Sequence, residues 1–273
     1  MVYKYYSPQQ YNIESIRDAY FWFSRHQSLN DPFDMAGDIF QRFPNLLSTS
    51  PDYQSLYQQS IQKYGICCFS HDPLNKHLWA LYSSSHTGFV LGFDDTTFID
   101  SLSLSLRARA IYRDCSYEDE YPNFNLDDTL IPIFSNEGTF NEDKNIGSII
   151  NSHPMDPKDL DQIFEFYLLI KEKETWGIEN EKRLILGQNF VNNLANNLIR
   201  PDVCLNLDNC ESGYKIKWPQ DALKVIYFGY NMDSSTKDTL NSMLPENIDR
   251  KEINIAATGR SFSLIPKTCN VTF

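Results

Sequence analysis

A chain of 273 residues, 41% hydrophobic and 14% aromatic, has enough apolar surface to close one large core or two small ones, which excludes an intrinsically disordered protein. A formal net charge of −12 and an isoelectric point near 4.8 disfavour long duplex DNA and anionic membranes as main partners, while leaving room for one small anion in a local basic pocket. No run reaches the length of a membrane span and Met1–Tyr6 has no leader character, so the expected location is the cytoplasm.

Val2–Tyr6 reads as a first strand. Ser7-Pro8-Gln9-Gln10 has the form of a capping box with proline at the first helical position, which predicts a short helix to about Arg17. Ala19–Ser24 is aromatic enough for a strand buried on both faces. Leu29-Asn-Asp-Pro-Phe-Asp34 is a turn, because Asn, Asp and Pro each favour one. Pro51 opens a helix with Tyr53, Leu56, Tyr57, Ile61 and Tyr64 on its apolar face, and Gly65 is its stop.

The central stretch, Gly65 to Asp94, reads as strand, capped helix, strand. Gly65–Ser70 is an apolar run. Asp72 caps a helix with Pro73 in its first position, and Leu74, His77, Leu78, Leu81 and Tyr82 share one face. Gly88 closes the unit and Phe89–Phe93 returns as a buried strand.

Beyond it, a helix is predicted over 96–106 and a strand over 108–113. Residues 114–152 turn acidic and polar, as expected of a long mobile excursion or lid. Asp156-Pro157 caps a long helix carrying Leu160, Ile163, Phe164, Tyr167, Leu168 and Lys171 at helical spacing and ending near Trp176-Gly177. Arg183–Leu186 and Val225–Gly229 read as strands. A helix runs from Ser234 or Ser235 to Leu244, and strands over 252–256 and 261–265 finish the chain. This order predicts a single α+β domain over 1–273, with a mixed or antiparallel sheet flanked by helices.

Six cysteines, at 67, 68, 115, 204, 210 and 269, show no short zinc-ligand spacing, so no metal is expected; free thiols in a reducing cytosol fit better. Cys67 and Cys68, adjacent on a strand, point to opposite faces. Cys68 with His71 has the outline of a nucleophile pair that lacks an orienting third group.

Glu179-Asn180-Glu181 immediately precedes a strand, where two carboxylates two residues apart point the same way. Like charges that close raise one pKa and concentrate negative potential, which suits acid/base work or the support of a developing cation. The alternative is a solvated turn balanced by Lys182 and Arg183. Trp176 nearby serves as core or as a stacking plate. Lys4, between Tyr3 and Tyr5, either holds a phosphate beside a stacked ring or faces water while both tyrosines pack inward. Ser70 ends a buried strand and, taken alone, is a neighbour of the Asp72 cap.

Together, Lys4-Tyr5, Leu29-Asn-Asp-Pro-Phe-Asp34, Gly65-Ile-Cys-Cys-Phe-Ser70, Trp79…Tyr82, Gly88-Phe-Val-Leu-Gly-Phe-Asp94 and Trp176…Glu179-Asn-Glu181-Lys-Arg183 resemble a bacterial domain-of-unknown-function family, number twenty-nine seventy-one, over nearly the whole chain. The chain departs from that family at Leu81, where a histidine is usual, and at Ile178 and Lys182, where an aromatic is common.

More loosely, a first-strand cation, a strand-ending serine and a late Glu-x-Glu look like the Arg–Ser–Glu layout of ADP-ribosyltransferases. That resemblance implies NAD as substrate, with Lys4 or Tyr5 first, Ser70 second, Glu181 third and Glu179 as companion carboxylate. Tyr5, Phe69 or Trp79 would sandwich the nicotinamide, Lys4 or an arginine would meet the phosphates, and Asp31 joins the cofactor-binding set. The usual first-position arginine or histidine is absent unless Lys4 replaces it. The implied protein is a cytoplasmic toxin or phage-defence enzyme acting on an unknown macromolecular acceptor. A non-enzymatic nucleotide-sensing domain and an NAD or nucleotide glycohydrolase are the competing expectations.

Overall fold

Aromatic and β-branched runs build one large sheet, mostly antiparallel, in a computed structural model that describes residues 1–31, 34, 64–101, 110–119, 133–134, 140–141, 168–187, 204–205, 213–258 and 261–269. The first half contributes β1 (Val2–Tyr6), α1 (Gln10–Arg17), β2 (Tyr20–Ser24), β3 (Tyr64–Ser70), α2 (Lys76–Leu81), β4 (Phe89–Phe93) and α3 (Asp95–Ser101). Then come β5 (Ala110–Asp114), β6 (Ser116–Glu118), β7 (Ile133–Phe134), β8 (Phe140–Asn141), β9 (Ile170–Glu172) and the one-turn helix α4 (Lys173–Trp176). The last part holds β10 (Glu181–Gly187), β11 (Cys204–Leu205), β12 (Gly213–Lys217), β13 (Leu223–Phe228), α5 (Ser234–Met243), β14 (Asp249–Thr258) and β15 (Ser261–Thr268).

The strands lie in the order β11-β12-β2-β3-β1-β4-β13-β14-β15, with β10 on the other edge of β3 and β5 beyond it. Within this sheet only β13–β14 is parallel among the described pairings. Side chains alternate across it. On one face Val2, Phe21, Cys67, Phe69, Leu91, Leu184 and Phe228 meet Ile13 and Ile16 of α1, Phe98 of α3 and Leu240 of α5 in the main core. On the other, Val90, Val225 and Tyr227 pack with Trp79 of α2, and Tyr3 and Tyr5 lie against them. The sheet flanked by helices is the α+β arrangement expected. No helix among the described residues is long and apolar enough to cross a membrane.

One irregularity of the sheet positions the cleft. Strand β10 pairs with β3 along all seven residues, whereas β1 meets β3 only at Tyr3↔Ser70 and β2 meets it only at Ser24↔Ile66. The sheet therefore forks on that edge of β3, and the fork leaves an opening. Its far side is fixed because β1 lies flat on β4 in full register, Val2↔Phe93 to Tyr6↔Phe89. Gly88 lets the chain turn there, since a side chain at that position would run into the Tyr6 carbonyl.

Several boundaries differ from the expected ones, each for a local reason. Ser7 does not cap α1: Gln9 is the N-cap residue, and the Ser7 hydroxyl and carbonyl accept from Asn12 Nδ2 at 2.9 and 3.0 Å. Asp72 caps only the turn before α2, accepting from Leu74 N, while Asn75 caps the helix by accepting from His77 N and Leu78 N. Pro73 thus precedes the helix, and the buried side chains of α2 are Leu78 and Trp79, with Leu81 66% exposed.

Gly65 lies within β3 rather than ending a helix. The expected long helix ending near Trp176 is replaced by β9 and the short α4, capped by Glu172. Leu168, Leu169, Ile170 and Lys171 are buried in unbroken succession. One helical stripe cannot bury four consecutive residues, so tertiary packing overrides the periodicity. Most of the 51–64 helix, residues 102–106, residues 156–167 and most of the 114–152 excursion lie outside the described residues.

Candidate functional site

Register across the fork places three side chains in one row. Ser70 faces Tyr3 on one side and Glu181 on the other, and residues directly opposite in a ladder share a face. At roughly 4.8 Å between strands, the row from Tyr3 through Ser70 to Glu181 is about 10 Å long. Above it lies a cleft of about 260 Å³, rimmed by Tyr3, Tyr5, Asn30, Asp31 and Tyr82.

The turn that delivers Glu179 and Glu181 is built for the purpose. Gly177–Glu179 make one 3-10 turn, and Asn180 takes a left-handed conformation, φ 46°, which asparagine tolerates better than most residues. Ser70 Oγ donates to Glu179 O at 2.8 Å, His71 N to Asn180 O at 3.2 Å, and Asn75 Nδ2 to Ile178 O at 2.5 Å. From the other side Glu181 N donates to Tyr117 Oη at 2.7 Å and Cys115 N to Glu181 O at 2.9 Å. Both ends of the turn are thus anchored to strands or to the cap of α2.

The cleft floor is a cluster of buried ions. Arg183 Nε and Nη2 donate to Glu181 at 2.9 and 3.2 Å, Nη1 and Nη2 to Asp34 at 2.9 Å each, and Nη1 to Leu168 O at 2.6 Å. That uses all five guanidinium N–H groups. Lys171 Nζ donates to Glu179 at 2.8 Å and Glu181 at 3.1 Å, and lies 4.5 Å from the centre of the Trp176 ring. Tyr82 Oη donates to the second oxygen of Glu179 at 2.7 Å. Every ion of the set is buried: Asp34, Lys171, Glu179, Glu181 and Arg183. Three carboxylates against two cations leave the floor one charge negative.

This arrangement corrects the expectation of a carboxylate with a raised pKa. Burial pushes Glu181 up, but Arg183 and Lys171 outweigh it and hold the group at about 2. Lys171 is raised despite its burial, through Glu181 first and Glu179 after it. A carboxyl depressed when folded contributes stability that is complete above its unfolded pKa, near 4.5, and is lost as pH falls toward 2. Urea unfolding between pH 5 and pH 2 should show wild type losing on the order of 3 kcal/mol more than Glu181→Gln. Parallel curves for the two proteins would contradict the buried pairing.

The residues singled out in the sequence are only partly brought together. Glu179, Glu181, Ser70, Tyr5 and Asp31 lie about the cleft, Asp31 being 5% exposed. The Tyr5 hydroxyl donates to Asp72 O at 2.6 Å and accepts from Asn75 N at 3.2 Å, so it also ties β1 to the turn before α2. Lys4 and Phe69 belong to the opposite face and reach the cleft through the fork, where Lys4 Nζ donates to Cys68 O at 3.1 Å and lies over the Tyr6 and Phe69 rings.

Trp79 is a correction. It is wholly buried, donates from Nε1 to Pro73 O at 2.9 Å and stacks on His86, so it is core and not a cleft wall. The Cys68–His71 pair is not formed either. His71 Nε2 lies 2.7 Å from Asp114 Oδ1, and burial, with Glu181 beside it, pushes the Cys68 thiol well above its ordinary range. Cys67, Cys68, Cys115 and Cys269 are free thiols. Leu81 is exposed and does not line the cleft. Among the described residues no cluster of three histidine, cysteine or carboxylate side chains is placed to hold a metal.

Sequence reasoning missed Tyr3, Asp34, Tyr82 and Lys171. Tyr3 is picked out only by the pairing register and Lys171 falls on a helical spacing in the sequence, so neither leaves a local signal. Arg183 was legible as a same-face neighbour of Glu181 through the period of two.

Fold and site together define an α+β protein with a tyrosine-rimmed cleft over a buried, net-negative ion cluster. No protein-family model, curated protein or solved structure matches this chain.

Proposed function

We propose that the chain is an NAD-consuming enzyme of the ADP-ribosyltransferase kind, with the cleft as its substrate site. The observation that carries this reading is the in-register row of Tyr3, Ser70 and Glu181 under one opening. A carboxylate held ionised beside a ribose supports the positive charge that develops when the bond between C1′ and nicotinamide breaks. The bonding pair leaves with the ring, which departs neutral because it was a pyridinium. The acceptor's nucleophile then bonds C1′ and gives its proton to solvent.

The charge state of the floor narrows the substrate. Glu181 has no proton to donate near neutral pH, and the Tyr82 phenol is held protonated by burial and by Glu179. A leaving group that needs protonation, such as a neutral purine, is poorly served, whereas a cationic pyridinium needs none. This favours an NAD glycoside over neutral nucleosides. A cleft of about 260 Å³ suits the nicotinamide-ribosyl half better than a whole dinucleotide.

One observation favours a second reading, a nucleotide-sensing domain without chemistry. Both Glu181 oxygens already accept from Arg183 or Lys171, which offsets the field the carboxylate offers a substrate.

The deciding experiment incubates the purified chain with NAD labelled in its adenylate half, with and without cell lysate. Nicotinamide release with label on a macromolecule supports transfer. Release without transfer supports a glycohydrolase. No release, with an NAD-dependent rise in melting temperature, supports the sensor. The absence of both release and a thermal shift overturns NAD as the ligand.

A further inference from the structure

The geometry points to Lys171 as a positioning residue whose ammonium, clamped between Glu179 and Glu181, keeps the two carboxylates together as a fixed charged pair under the cleft. This clamp is independent of the ligand that the cleft takes.

Glu181 has a second cation, Arg183, on both of its oxygens. Glu179 has hydrogen bonds from Lys171 and from the neutral Tyr82, so among the described partners Lys171 is its cation. Lys171 itself is 4% exposed and reaches the pair from β9, which pairs with β6 and lies outside the main sheet. The Trp176 face covers the ammonium from the side.

The groups facing the pair come from every surrounding element: Arg183 of β10, Cys68 of β3, Tyr117 of β6, Cys115 before it, Tyr82 after α2, and Asp34 across Arg183. Among them only Arg183 and Lys171 are cations. Without Lys171 three buried carboxylates would share one guanidinium. The cheapest relief is for Glu179 to take up a proton.

The test uses Lys171→Met, which keeps length and apolar bulk while removing charge, and needs no substrate. If Glu179 then has a folded pKa above its unfolded one, the folded state binds the extra proton, and stability is greatest at low pH and declines as pH rises through the raised value. The melting-temperature deficit of Lys171→Met against wild type is expected to shrink by about 3 °C or more between pH 8 and pH 5.5.

Lys171→Arg should keep the wild-type profile, and Lys171→Met with Glu179→Gln should lose the pH dependence. A deficit equal at both pH values overturns the proposal, because a purely packing role moves stability without moving its pH profile. If Lys171→Met fails to fold, recovery by adding Glu179→Gln supports the proposal and no recovery overturns it. These outcomes are independent of whether NAD is turned over.

Discussion

Arg183→Met is expected to cost about 3–5 kcal/mol of stability, the range for breaking a buried ion set from one side. The guanidinium is 1% exposed and joins three groups: the Glu181 carboxylate of its own strand β10, the Asp34 carboxylate and the Leu168 carbonyl, the last two from elsewhere in the chain. Removing it leaves three buried carboxylates with one remaining cation, Lys171, takes from Asp34 its guanidinium partner and leaves the Leu168 carbonyl without that donor. Whole-protein stabilities are about 5–15 kcal/mol, so the variant retains little margin.

Arg183→Lys separates charge from geometry. Lysine restores the cation but has three donors on one atom, and cannot fork between Asp34 and Glu181 as five planar N–H groups do. An intermediate loss is therefore expected. Guanidinium chloride denaturation read through the midpoint, with the slope checked for constancy, measures both. A loss under about 1 kcal/mol for Arg183→Met would mean that the cluster is hydrated and its ions individually cheap to expose.

The sheet was more legible than the site. β1, β2, β3, β4 and β10 are each announced by apolar or aromatic runs, because burial on both faces leaves a direct mark on composition. The α+β class followed from their order. What composition does not carry is which strand edges fail to pair. The fork depends on β1 and β2 each meeting β3 at one point, a non-local fact, so the sequence points to Lys4 or Tyr5 as the first-strand partner of Ser70 whereas the register selects Tyr3.

Trp79 shows the opposite error. Its aromatic character fitted a stacking wall, yet a buried indole that already satisfies its N–H on Pro73 O is a core residue. The carboxylate pair was found for a local reason, the alternation of Glu179 and Glu181. Its electrostatics are not legible in the sequence, because Lys171 and Asp34, which lie 8 and 149 residues from their partners, enter only in three dimensions.

On the proposed reading, Glu181→Gln should lower nicotinamide release by about 10²- to 10³-fold, the loss typical of removing one group that stabilises charge in a transition state. The substitution suits the purpose because it keeps the shape and the register opposite Ser70 while deleting the charge. It should also fold. The floor goes from one negative charge to a balance of Asp34 and Glu179 against Arg183 and Lys171, and the amide oxygen can still accept from Arg183 Nε. Its stability cost is accordingly expected to be smaller than that of Arg183→Met.

Glu179→Gln gives the contrast. Glu179 lies outside the Tyr3–Ser70–Glu181 row and is met by Tyr82, so its loss should cost less in release than the loss of Glu181. An initial-rate assay, with the NAD-induced melting shift retained in both variants, isolates the chemical step from binding. If Glu181→Gln binds NAD and releases nicotinamide at the wild-type rate, the row of three is a structural seam and the carboxylate steadies nothing. If the loss appears only in Glu179→Gln, the reacting sugar sits nearer Tyr82 than Tyr3, and the catalytic assignment moves one turn of chain toward α2.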